Sequence, residues 1–146
     1  MKKLIKEIPS ILFLTISFGI ALWVLTDDRD AIPLHFNIRG EVDSWGEAWS
    51  VVWLPLIALA LYGLLTLLQH RPQWCNYPGK LIDKERAYRQ MSHIVCRIKT
   101  LVMCLMLYIT LCVAQVVDSN IFVVLAIVAA IIFVTITGWS RIDTEP

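Results

Sequence analysis

The sequence predicts an all-α integral membrane protein with four transmembrane helices, an ordered extracytoplasmic loop between the first two, and a cytoplasmic extension of the third. Three observations lead there. Hydrophobic residues fill 58% of 146 positions and charged residues only 17%, more apolar surface than one small soluble core can hide. The apolar residues fall in four blocks, each close to the ~20 residues with which a helix rising ~1.5 Å per residue crosses roughly 30 Å of hydrocarbon. Lysine and arginine collect on alternate connections between those blocks.

The first block, residues 8–26, holds no charge. Its Ser10, Thr15 and Ser17 can bond back to helical carbonyls inside lipid, and Trp23 suits an interfacial anchor. Lys2, Lys3 and Lys6 precede it as in a secretory signal. The run is longer than the usual ~7–15-residue signal core and ends in Thr26-Asp27-Asp28 with no small-residue cleavage site, so it reads as an uncleaved anchor. The second block, 48–68, opens with Trp49 and Trp53; Pro55 lacks a backbone donor and is expected to kink its first turns.

The third and fourth helices, 84–117 and 121–139, are separated only by Asp118-Ser119-Asn120, enough for a tight hairpin of antiparallel neighbours. The membrane-crossing part of the third is placed at 101–117. Ahead of it, Asp83 is suited to cap the helix with Glu85 in the first turn, and Ala87, Met91, Ile94, Val95 and Ile98 follow helical spacing. This predicts one helix of about 30 residues. Thr110 and Gln115 are its notable polar groups and read as helix-packing groups.

Orientation follows from the basic residues. Lys2, Lys3 and Lys6 face only Glu7 at the N-terminus, and the 69–100 connection carries Arg71, Lys80, Lys84, Arg86, Arg89, Arg97 and Lys99 against Asp83 and Glu85. The 27–47 loop has Arg29 and Arg39 against six acids, Asp27, Asp28, Asp30, Glu41, Asp43 and Glu47, a net of −4. Both termini are therefore expected in the cytoplasm, with the chain a single membrane domain over 1–146. The basic residues of the connection are read as topology anchors that touch anionic lipid.

A formal charge of +1 argues against direct nucleic-acid binding, which needs a basic face. Cys75, Cys96, Cys104 and Cys112 form no C-x-x-C pair and none lies in the 27–47 loop, so they read as packing thiols. No G-x-S-x-G or H-E-x-x-H pattern occurs, and the predicted membrane cores hold no ionisable residue to mark an ion or proton path. The expectation is a protein that is not an enzyme and has no cofactor.

The loop carries the most information. Ile32, Leu34, Phe36 and Ile38 alternate with Pro33, His35, Asn37 and Arg39, the period of an extended segment with one apolar face against the helix ends. Gly40 permits a turn, and Asp43 to Gly46 reads as a second turn leading into helix two. His35 with Glu41 and Asp43 offers metal-ligand chemistry. A single histidine with no second at i+3 or i+4 favours instead a hydrogen-bonded cluster in which His35 meets Asp43, so no metal is expected. Arg39 has any of the six acids for a partner. The six tryptophans lie near predicted membrane boundaries; Trp45, inside the loop, is placed either to cap it or to meet a peptide ligand.

Pro33, His35, Phe36, Asn37, Gly40, Asp43, Trp45 and Gly46 together spell I/L-P-x-H-F-N-x-x-G-x-x-D-x-W-G. This pattern resembles the signature loop of SdpI-like bacterial membrane proteins, which lies between their first two helices. The resemblance covers about the first third of the chain. Glu47 stands where a basic residue is expected after the Trp-Gly pair, and four helices are fewer than larger relatives carry. It implies immunity to a secreted peptide toxin, or signalling of its presence by holding a cytoplasmic regulator.

The expected function is then that of a non-enzymatic protein of the bacterial inner membrane that recognises an extracytoplasmic ligand or peptide through residues 33–46. Its expected partners are the lipid bilayer, that peptide and a cytoplasmic regulator. Two alternatives stand beside it: a structural or accessory membrane subunit in which the loop only locks helices one and two, and a small metal- or proton-coupled carrier or enzyme.

Overall fold

The computed structural model describes residues 2–27, 29–77, 79–142 and 144–145. It is predominantly helical, and four helices are long and apolar enough to cross a membrane. α1 (Lys2–Thr26) leads into an antiparallel hairpin of β1 (Ala31–Phe36) and β2 (Val42–Glu47), then through a 3-10 helix (Ala48–Val52) into α2 (Trp53–His70). A 3-10 turn (Pro72–Trp74) and the short β3 (Lys80–Leu81) precede α3 (Lys84–Val113) and α4 (Ile121–Trp139), and β4 (Thr144–Glu145) pairs back onto β3.

The helix bounds differ from the sequence expectation at three places, each for a local reason. α1 begins before residue 8 and carries Pro9 inside it, at the cost of one helical hydrogen bond to the carbonyl four residues back. The irregularity expected at Pro55 appears earlier, as the change from 3-10 to α at Trp53; Pro55 is then the third residue of α2, within the first turn where proline is tolerated. α3 has the 30 residues expected but stops at Val113 rather than 117, because Gln115 takes a left-handed φ of 57°. Gln115 thus lies beyond the helix it was expected to pack. At the other end Asp83 caps α3 by accepting from the Arg86 amide at 2.9 Å, as the sequence predicts.

α3 is the central helix, packed by α1, α2 and α4. Its buried face runs through Ala87, Met91, Ile94 and Val95 near its start to Met103, Met106 and Val113 near its end. α4 is the opposite case: it has the highest mean hydropathy of the four spans, and no residue in its spanning window is buried. It meets α3 closely at Gly138, where a Cβ would lie 2.6 Å from Ile94 Cγ1. Such an apolar exterior is stable only in hydrocarbon, which solvates side chains while the helix satisfies its own backbone. The chain is a multi-pass membrane protein. Hydroxyls inside the spans behave accordingly: Thr15 and Ser17 bond to the Ile11 and Phe13 carbonyls, whereas Ser10 reaches across to Thr100 on α3 at 3.0 Å.

Candidate functional site

The β1–β2 hairpin is built on a turn whose chemistry the sequence specifies. The Asn37 carbonyl accepts from the Gly40 amide at 2.9 Å, and the Asn37 amide donates to the Glu41 carbonyl at 2.9 Å, enclosing a three-residue loop. Such loops need a left-handed last residue, and Gly40 supplies it at φ 81°. The Asn37 side chain completes the turn: its Oδ1 accepts from the Arg39 and Glu41 amides at 2.8 and 3.1 Å, and its Nδ2 donates to the Glu41 carboxylate at 2.8 Å. Arg39 enters the turn through its backbone amide.

The strands depart from the sequence expectation in two ways. Residues 43–46 form part of β2 rather than a second turn, so the link into α2 is the 3-10 helix that follows. The simple alternation of β1 also fails. Ile32 and Pro33 are both buried, Phe36 is half-buried, and Leu34 and Ile38 are exposed. Irregular pairing on either side of His35 rotates successive side chains off the two-residue period. Leu34 instead covers Gly46, where any Cβ would collide with it.

The inner side of the hairpin is fastened to residues distant in sequence. Ile32 is buried with Ala21 and Val24 of α1, Val51, and Val113 and Ala114 at the end of α3; Phe36 packs on the same cluster. Gly40 sits against the Ser119 carbonyl in the α3–α4 turn, leaving no room for a side chain. Arg29 donates from Nη1 to the Ala114 carbonyl at 2.7 Å, where a cation suits the negative end of α3. Its guanidinium also pairs with Asp27 at 2.5 Å and stacks over Trp23 at 4.7 Å. The sequence counted Arg29 only as a loop charge.

The outer side presents the polar part of the pattern. His35 Nδ1 lies 2.6 Å from Asp43 Oδ1, the contact expected from their spacing, and both side chains are exposed. Trp45, opposite Pro33, is 56% exposed. Beside them a cleft of about 280 Å³ opens between the hairpin and the ends of α3 and α4, lined in part by His35, Asn37, Tyr108, Ile109 and Ser119. Tyr108 steadies its far wall, where its hydroxyl accepts from the Asn120 amide at 2.8 Å. Seven of the eight pattern residues therefore build or brace the hairpin, and Trp45 stands out from it.

Residues 11–59 match the family model described as Domain of unknown function (DUF1648). The match takes in most of α1, the whole hairpin and the start of α2. No curated protein and no solved structure matches the chain.

At the opposite end of the bundle lies a second polar cluster that the sequence reading missed. Lys99 is completely buried, and its Nζ lies 2.6 Å from Glu7 Oε2, 2.8 Å from Gln69 Oε1 and 3.0 Å from Thr66 Oγ1, with the Tyr62 ring 4.8 Å away. Gln69 Nε2 returns a hydrogen bond to Glu7 Oε1 at 2.8 Å. The predicted cores begin at 8 and 101 and hold no ionisable residue; Glu7 and Lys99 stand just outside them, on helices that continue through both positions. Buried charges are tolerated only when paired and hydrogen-bonded, and α1, α2 and α3 each supply part of the solution.

Proposed function

We propose that this protein is a non-enzymatic, SdpI-like protein of the bacterial inner membrane, with both termini in the cytoplasm, that recognises an extracytoplasmic peptide through residues 33–46. One observation supports the reading above others: the hairpin is fixed along its inner side, yet leaves His35, Asp43 and Trp45 exposed, with His35 lining an open cleft. An exposed tryptophan next to a rigid polar pair has the character of a binding hot spot, because little entropy is lost when it meets a partner. The charge asymmetry of the connections supports the orientation.

A second reading is a structural lock, in which the hairpin only ties α1 and α2 to the end of α3. The buried Ile32 and the Arg29 to Ala114 bond favour it. Cells expressing Trp45→Ala, His35→Ala and Asp43→Asn, challenged with a secreted peptide toxin and assayed in parallel for protein in the membrane, separate the two. Recognition predicts normal protein levels with protection lost. If protection and protein level fall together in all three variants, the hairpin is a lock.

A further inference from the structure

We propose that the bundle end carrying the termini holds a site for the phosphate headgroup of an anionic phospholipid. A cavity of about 640 Å³ opens among the first turns of α1, the end of α2 and the early turns of α3. Lys6, His70, Arg89 and His93 line it with the hydroxyl-bearing Tyr88 and Ser92, and no carboxylate belongs to its lining among the described residues. Three helices thus converge cationic and hydrogen-bond-donating groups on one space.

The nearby acids do not cancel that charge. Glu7 is not in the cavity lining and is held by Lys99, Gln69 and Cys96. Glu85 approaches Arg89 Nη1 at 3.4 Å, but both side chains are largely exposed, and such a pair contributes little in water. A phosphate competes for that guanidinium on favourable terms, since it offers two oxygens to a planar fork of donors. Lys6 Nζ donates to His93 Nδ1 at 3.3 Å and has further N–H groups to offer.

Depth argues for a lipid as the carrier of that phosphate. The apolar runs of α1 and α2, 8–26 and 48–68, stop just short of Lys6 and Gln69 in the cavity lining, which puts the cavity where headgroups would sit. Exposed Ile8, Leu64 and Leu67 lie within two turns of Lys6 and His70 along their own helices, where acyl chains would run. At the hairpin end the cleft beside His35 has no lysine or arginine in its lining, and a neighbouring cavity has only Arg39, so the convergence of several basic groups belongs to the other end of the bundle.

Native mass spectrometry of the full chain in detergent, titrated with phosphatidylglycerol, phosphatidylcholine, inorganic phosphate and an acidic peptide, tests the assignment. Phosphatidylglycerol should be retained over phosphatidylcholine, and the double variant Lys6→Gln/Arg89→Gln should lower its retention about tenfold. Lys84→Gln, at the start of α3 and outside the cavity, should leave it unchanged. Equal retention of the two lipids, an equal loss in Lys84→Gln, competition by inorganic phosphate at equimolar concentration, or displacement by the acidic peptide alone would each overturn the proposal. Should the double variant fail to fold, single Arg89→Gln and the comparison of the two lipids on the wild-type chain decide the matter.

Discussion

The two ends of the bundle solve the same problem in opposite ways. At the hairpin end a polar pair, His35 and Asp43, stays at the surface while apolar Ile32 and Phe36 provide the attachment. At the other end the polar pair itself is the attachment: Glu7 and Lys99 are enclosed by three helices, with Gln69 bonded to both and Thr66 to Lys99. An exposed pair costs little to keep and little to lose, whereas a buried one is costly to break from either side. The hairpin end can therefore vary its outward chemistry without endangering the fold, and the Glu7–Lys99 end cannot.

The sharpest way to break this contrast is Lys99→Ala, which strands the Glu7 carboxylate. It should cost about 3–5 kcal/mol, read as a fall in unfolding temperature in detergent and in the amount of protein in the membrane. Pairing Lys99→Met with Glu7→Gln should recover most of the loss, and a single variant as stable as wild type would erase the difference between the ends. Next comes Gly40→Ala, which forces a Cβ into a left-handed residue and against Ser119. About 2–3 kcal/mol is expected, with tryptophan fluorescence reporting a disturbed hairpin before the helices melt. Arg29→Gln should cost about 1 kcal/mol by removing the cation from the end of α3, and Arg29→Lys should restore part of it.

The smallest effect at neutral pH concerns Tyr77, outside the spans. Burial, with smaller contributions from Cys75 and Tyr88, pushes its phenol up to about 12. The folded state therefore holds this proton more tightly than the unfolded chain, whose tyrosines ionise near pH 10. The stability it contributes is complete below about pH 10 and is lost as pH rises towards 12. Ultraviolet titration should show a late phase of tyrosine ionisation that loses amplitude in Tyr77→Phe.

What the sequence could announce were patterns carried by neighbours in the chain. Apolar blocks gave the four spans, Gly40 the turn, Asp83 the cap of α3, and the spacing of His35 and Asp43 their contact. What it hid were partnerships across many residues. Glu7 meets Lys99 and Arg29 meets Ala114 only after the helices pack, and nothing local distinguishes these charges from the others that set topology. The end of α3 was also hidden, because hydropathy continues through Val116 and Val117 while Gln115 turns the backbone left-handed. The outward rotation of Leu34 arises from irregular pairing that no two-residue pattern encodes.

The attachment of the hairpin to Val113, Ala114 and Ser119 also sets an order of events during synthesis. The residues that spell the hairpin are complete at Glu47, but its floor is delivered only with Val113, Ala114 and Ser119, the last of them 72 residues later. At ~5–20 residues per second the ribosome takes roughly ten seconds to supply it. During that interval Ile32 has only Ala21, Val24 and Val51 to cover it, and the end of the third helix completes its surroundings as it arrives.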